Sequence, residues 1–395
     1  MGERVEDDLL GDEVVRDPQM FYGRIRERTP VHWNARYHSW LLTRYDDVVM
    51  GYRSPAFSAA RTGPLEDRPE MADASAVLSR WMVFTDPPEH TRLRRACTLA
   101  FAPRRVAMLE PRIAALVDEL VRPLRPATEI DLVADLAAPL PALVIAELLG
   151  VPTSDRALFT HWSGELMTLV FGSLDRADRH ERGRAGLLAL RDYLAGVVAE
   201  RERRPRDDLV SVLLADGTLE RDALVSTCIL LLFAGHETTS GLLGNSFLAL
   251  LSHPDQLRVL RGRPDTIDLA IEELLRYDGP AKLSPRRVAE DIRLHGELLR
   301  AGDRVLLVNA SANRDPRRFA EPDRLMLSRA DNPHLGLGYG VHYCLGAPLA
   351  RLETRIALTA TLPLLPRLEL RSEQATWHRS LLGRALRSLP VAVGA

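Results

Sequence analysis

The stretch His334-Leu-Gly-Leu-Gly-Tyr-Gly-Val-His342-Tyr-Cys344-Leu-Gly346-Ala-Pro348-Leu-Ala-Arg351 decides how this chain is read. Gly336, Gly338 and Gly340 carry no Cβ, so the loop can lie close against something flat and bulky. Pro348 suits the first turn of a helix over 347–361. Cys344 therefore sits just before a helix N-terminus, where unpaired N–H groups and the helix dipole stabilise a thiolate. A thiolate held this way is a good soft metal ligand. A lone cysteine is usually a buried structural residue; the surrounding loop argues otherwise. The glycines do not form a dinucleotide-binding fingerprint, because Val341 stands three residues after Gly338 and no strand–helix unit precedes them.

Working outward, the pattern over 221–251 is apolar nearly all round between Ile229 and Ala234, as expected of a helix in the middle of a large fold. In its centre stand Gly235, His236, Glu237, Thr238, Thr239 and Ser240, which are poor helix formers or costly to bury. A core helix that breaks local rules marks a functional site. Ala234 and Thr238 share a face, small Ala and Gly leave room for a planar group, and Glu237 beside Thr238 makes an acid–alcohol pair able to relay protons. Threonine back-bonding that kinks the helix is the structural alternative. His236-Glu237 begins like a zinc-protease helix, but Ser240 replaces the second histidine.

Two further sets are weaker. Glu273 and Arg276 share a helix face at i, i+3, with Glu272 and Arg276 as a rival pair. Pro87-Pro88 opens a helix on which His90 and Arg94 lie one turn apart and could grip a carboxylate pair.

The rest of the chain sets bounds. Its 395 residues carry 52 Lys+Arg and 54 Asp+Glu, a formal charge of −2, so there is no field to attract nucleic acid or anionic membrane. With 46% hydrophobic and 27% charged residues it is an ordinary globular composition. Cys97, Cys228 and Cys344 are too sparse for a disulfide framework and point to a reducing compartment. The acidic start and the short apolar run Cys228–Gly235 predict neither signal peptide nor membrane span, hence a soluble cytoplasmic protein. Lys282 is the single lysine, and the arginine bias suits a GC-rich genome. Periodicity predicts helices over 104–122, 135–149, 155–172, 181–201, 221–251, 254–261, 266–277 and 347–361. Strands are expected at His38–Thr43, Ile292–Leu294, Val305–Asn309, Arg367–Leu370 and near Leu389–Val393. The expected fold is mostly α: one large helical domain over 1–395, with a small β-rich lobe from about 30–60, 285–330 and 365–395.

In this order, the four sets resemble the haem-thiolate monooxygenase family, cytochrome P-450, and most closely its soluble bacterial members. The resemblance implies a cytochrome P-450-like fold, with haem b (iron-protoporphyrin IX) held by Cys344 as axial thiolate. It implies haem contacts from His90, Arg94, Ala234, Leu337, Gly338 and His342, and a further propionate contact from Arg286, with Arg287 as its rival. Glu237 and Thr238 match the acid–alcohol pair that serves oxygen activation. Glu273 and Arg276, joined by Arg324, match a structural pair behind the haem. Leu337 stands where the family usually has phenylalanine, and Leu325 also replaces a usual aromatic.

The activity implied is hydroxylation or another two-electron oxidation of a hydrophobic small molecule, in bacterial secondary metabolism, with O2 as co-substrate. Electrons would come from a ferredoxin and ferredoxin reductase, docking on Arg92, Arg95, Arg104 and Arg105. Substrate contacts are expected from Val83, Phe84, Phe233, Lys282 and Leu283, and from the 160–180 segment and the region around Leu381–Leu382. Two alternatives stay open: oxidative coupling or peroxide-driven oxidation on the same cofactor, and a non-catalytic haem sensor or carrier.

Overall fold

The computed structural model describes residues 8–60, 68–98, 101–170, 172, 177–371 and 375–394. Its axis is one unbroken helix, Arg221–Ser252, whose side chains from Ala223 to Phe233 are all buried. It packs against helices Pro139–Leu149, Arg179–Arg203, Ile267–Asp278 and Ala347–Thr361, which explains an apolar surface on every side. The helix is long and apolar enough to cross a membrane by length and composition, but 72% of its most apolar window is buried inside the protein.

Most expected helices form with small shifts at their ends. The 104–122 segment is an exception: it divides into Pro103–Met108 and Glu110–Val121. Pro111 has no N–H to return to the preceding turn, so it opens a second helix rather than continuing the first. The 135–149 segment becomes a helix only from Pro139, after a π-helical turn at Val133–Ala137. Periodicity missed Pro18–Arg28 and Leu209–Asp216. Each is started by an aspartate cap, Asp17 accepting from the Gln19 N–H and Asp208 from the Ser211 N–H.

The strands divide differently from expectation. Stretches 30–60 and 285–330 do share one five-stranded sheet, in the order Val31–Asn34, Ser39–Leu42, Arg304–Leu307, Ser284–Val288, Phe57–Ser58. Only the contact between Ser39–Leu42 and Arg304–Leu307 is parallel. Stretch 365–395 does not join that sheet. Its strand Pro390–Val393 pairs antiparallel with Glu129–Asp131 on one side and with Leu368–Leu370 on the other. Strand Ser284–Val288 sends alternate side chains to opposite faces. Arg286 is buried, whereas the Arg287 guanidinium reaches the Gly302 carbonyl near the surface.

Candidate active site around Cys344

The cysteine loop is folded back on itself. The Cys344 N–H donates to the Leu337 carbonyl at 2.9 Å and the Gly338 N–H to that of Leu335 at 3.0 Å. Gly338 and Gly340 have φ of 73° and 66°, a region that suits glycine. A Cβ on Gly336 would sit 2.7 Å from the Leu275 carbonyl, so the loop lies tight against the end of helix Ile267–Asp278. Leu337, at the usual phenylalanine position, packs against the main core. Burial pushes the Cys344 thiol up, against the opposing pull of the Gly346 N–H, Arg94, Arg351 and the Ala347 N–H. The N–H groups at the helix start thus pull toward the thiolate, in the direction the sequence suggests, while burial acts against them. Among the described residues no group of three His, Cys, Asp or Glu side chains forms a metal cage.

Beside this loop the chain gathers positive charge. The His90 and His342 rings lie 4.3 Å apart. The Arg286 guanidinium lies over the Tyr52 ring at 5.2 Å. Burial, then Arg286 and His90, push His342 down to about 3. Burial and Arg94 also lower His90. The nearby carboxylate, Asp86, is already held by the Ser58 hydroxyl and the Ala59 N–H. Both ring nitrogens of His90 are buried without a hydrogen-bond partner, and neither Arg94 nor Arg286 forms an ion pair among the described residues. Buried donors are ordinarily satisfied. A set like this, next to a sulfur on a flat glycine loop, fits a planar dianion that brings its own metal.

On the central helix the buried run gives way at Ala234, Gly235, Glu237, Thr238 and Ser240, which are half-buried. The Thr238 hydroxyl donates to the Ala234 carbonyl at 2.8 Å, the back-bonding of the structural alternative, within an uninterrupted helix. Gly235 does not open room for a planar group either, because its missing Cβ faces Ile145 of the neighbouring helix at 3.0 Å. Glu237 is not alone: its Oε1 lies 3.3 Å from His236 Nε2. Burial pushes Glu237 up, but the charge and hydrogen bond of His236 together with the charge of His378 outweigh it and the net direction is down.

A sequence profile of the family Cytochrome P450 matches residues 265–374. The chain is 38% identical over 407 residues to "Cytochrome P450 CYP107DY1" of Priestia megaterium, covering 98% of both. It is 35% identical to "Polyketide biosynthesis cytochrome P450 PksS" of Bacillus subtilis, covering 97% of both. It superposes with a TM-score of 0.90 and 34% identity on P450BioI, solved with an acyl carrier protein bearing hexadec-9Z-enoic acid, over 97% of this chain and 100% of that one. The chain belongs to the cytochrome P450 family. It is a monooxygenase of the bacterial type, and the family uses haem held by cysteine sulfur, dioxygen and a redox partner.

In this P450 the Glu273–Arg276 pair is complete. Arg276 Nε and Nη2 donate to Glu273 Oε2 and Oε1 at 2.7 and 2.8 Å. The third member is Arg329, whose Nε reaches Glu273 Oε2 at 3.0 Å. Arg324, the sequence expectation, gives only its backbone carbonyl, and its own side chain is exposed. The rival Glu272 turns instead to Arg351 and His334.

The expected substrate residues scatter. Phe84 stacks on Trp81 at 5.8 Å, and Trp81 lies 5.6 Å from Phe233, so these form one aromatic group. Val83 is exposed. Leu283 packs in a separate apolar cluster with Leu9, Phe21 and Leu306. Lys282 is buried with its Nζ on the Ser380 carbonyl at 3.1 Å; burial and Arg384 push it down to about 7. Of the 160–180 segment, residues 171 and 173–176 lie outside the described residues. Arg95, Arg104 and Arg105 are exposed, while Arg92 pairs with Glu89. Sequence reasoning missed Arg329, Tyr52 and Ser284, whose hydroxyl meets that of Tyr52 at 2.6 Å. Of these only Ser284 carried a signal, the period-two alternation with Lys282 and Arg286.

Proposed function

We propose that this P450 hydroxylates a hydrophobic small molecule in bacterial secondary metabolism, in the cytoplasm, with the whole chain acting as one domain. The cofactor is iron-protoporphyrin IX, bound through Cys344 Sγ, with its propionates taken by His90, Arg94, Arg286 and His342. The observation that carries the reading is the unpaired positive cluster beside the cysteine loop. When bound, this group supplies an electron-rich iron whose thiolate favours O–O cleavage. The chain's residues do the rest. Ala234, Leu337 and Gly338 border the group. Glu237 Oε1 and Thr238 Oγ1 hold and move protons beside it. Phe84 and Phe233 exclude water and present an apolar wall to the substrate.

Electrons come from a ferredoxin reduced by its reductase, docking on the exposed Arg95, Arg104 and Arg105 with Arg92 at the margin. The relatives named for polyketide biosynthesis and solved with a carrier-bound acyl chain support a long apolar substrate. The test is the spectrum of the reduced carbonyl complex. The band diagnostic of sulfur ligation is expected in the native chain and its loss in Cys344→Ser; an unchanged spectrum in that variant overturns the reading. Thr238→Ala should keep the haem spectrum and divert electrons from product to peroxide.

A further inference from the structure

The central helix carries a titratable group that the acid–alcohol pair does not account for. His236 Nδ1 lies 2.7 Å from the Leu232 carbonyl, which can only accept. That contact fixes the proton on Nδ1 and leaves Nε2 as the atom that gains or loses a proton. Nε2 is buried, has no hydrogen bond of good geometry, and stands 3.3 Å from Glu237 Oε1. The Phe159 ring, from helix Arg156–Val170, meets the imidazole edge-on at 6.4 Å and offers no charge. From the C-terminal segment, His378 acts electrostatically on Glu237, and Arg387 acts in turn on His378.

We propose that His236 is a positioning residue for the proton path: it holds the Glu237 carboxylate and passes it a proton from Nε2, with His378 as the second titratable group on that carboxylate. This rests on the function proposed above. The transfer is a plain proton exchange. The proton leaves His236 Nε2 and binds Glu237 Oε1, the neutral imidazole keeps its Nδ1–H on Leu232, and solvent returns a proton to Nε2. No electrons move. Glu237 beside His236 favours the imidazolium, against the cost of burial, and the net shift of the histidine is upward. The relay therefore keeps its charge to higher pH than a free imidazole would and fails as pH rises through the raised imidazolium value.

The experiment uses the haem-loaded, reduced, carbonyl-bound protein, which is diamagnetic, with isotope-labelled histidine. In NMR titration the His236 resonance should titrate above the ordinary 6.5 in the native chain. Glu237→Gln should bring it down. Independently, His236→Gln should release several-fold more peroxide per electron pair at neutral pH, with myristic acid as probe substrate and a plant-type ferredoxin and reductase as electron source. It should also lose the alkaline limb of the native pH profile. Titration of His236 below its ordinary value, indifference to Glu237→Gln, or a His236→Gln profile that overlays the native one overturns the proposal. If His236→Gln fails to fold, the titration of the native chain and Glu237→Gln decides alone. A native chain without the sulfur-ligation band defeats the function proposed above, whereas that band with an unmoved histidine defeats this inference only.

Discussion

Two charged clusters flank the cysteine loop, and they are built on opposite principles. Behind it, Glu273 accepts from Arg276, Arg329, the Asn332 amide and the Met326 N–H, while Arg276 also reaches the carbonyls of Asn313, Pro322 and Arg324. Every charge there has its partner inside the chain. On the other side, His90, Arg94, Arg286 and His342 crowd together with Asp86 already engaged elsewhere. The first cluster is finished when the chain folds. The second is finished by something that arrives carrying negative charge. A dense ionic network is therefore a poor sign of a binding site, and the informative sign is the one that does not balance.

The largest effect should come from unbalancing the finished cluster. Glu273→Ala leaves two buried guanidinium groups without their carboxylate, a loss of about 3–5 kcal/mol for one broken buried pair. Urea unfolding should show that drop in the chain with or without haem. An unchanged midpoint would remove the distinction between the clusters.

The neighbouring Glu272 extends the finished side and gives it a pH signature. Burial alone would push its carboxyl up, but Arg351 and His334 hold it down to about 2, from 4.5. A carboxylate lowered on folding stabilises the native state fully above pH 4.5 and loses that contribution as pH falls toward 2. The full span is worth about 3 kcal/mol, an upper figure for a group that keeps some contact with solvent. Acid unfolding of Glu272→Gln should be flatter than that of the native chain across this window.

Arg286→Gln tests the unfinished side, and its sign separates the two. Removing one of the two crowded arginines should leave the haem-free chain as stable as before or slightly more so. The same change should speed haem loss to apomyoglobin by about tenfold, the equivalent of one lost charged hydrogen bond. Equal destabilisation of the haem-free chain would make Arg286 a structural residue like Arg276.

The contrast also explains what the sequence could and could not reveal. The cysteine loop, the central helix and the Glu273–Arg276 spacing are local patterns, and each is legible from neighbours in the chain. Arg329 is not, because it reaches Glu273 across 56 residues through a loop without periodicity. The engagement of Glu237 by its own neighbour His236 was within reach, since adjacent helical residues rarely face each other but a long imidazole and a long carboxylate can bend together. Gly235 was misread because smallness says only that something lies close; here it is Ile145, not a cofactor. The Leu368–Leu370 and Pro390–Val393 strands were visible one by one, but the distant strand that Pro390–Val393 takes on its other edge, Glu129–Asp131, is set by tertiary packing.

The smallest expected effect lies in the loop both clusters grip. From one side His334 Nδ1 accepts the Gly336 N–H at 3.1 Å; from the other His342 sits in the positive group. Gly338 between them has φ 73°, and a Cβ there would meet nothing closer than the His342 carbonyl at 3.4 Å, an ordinary contact. Gly338→Ala therefore carries conformational strain alone, about 1–2 kcal/mol for a left-handed alanine. If the loop is anchored independently by the finished cluster, that strain stays in place: unfolding shifts by this amount and the carbonyl spectrum keeps its sulfur-ligated form. If the loop is held only by what binds at the positive group, the strain relaxes by moving the loop, and the cost appears instead as faster haem loss with little change in the haem-free chain. Measuring both quantities on this one variant tells which cluster fixes the position of the sulfur.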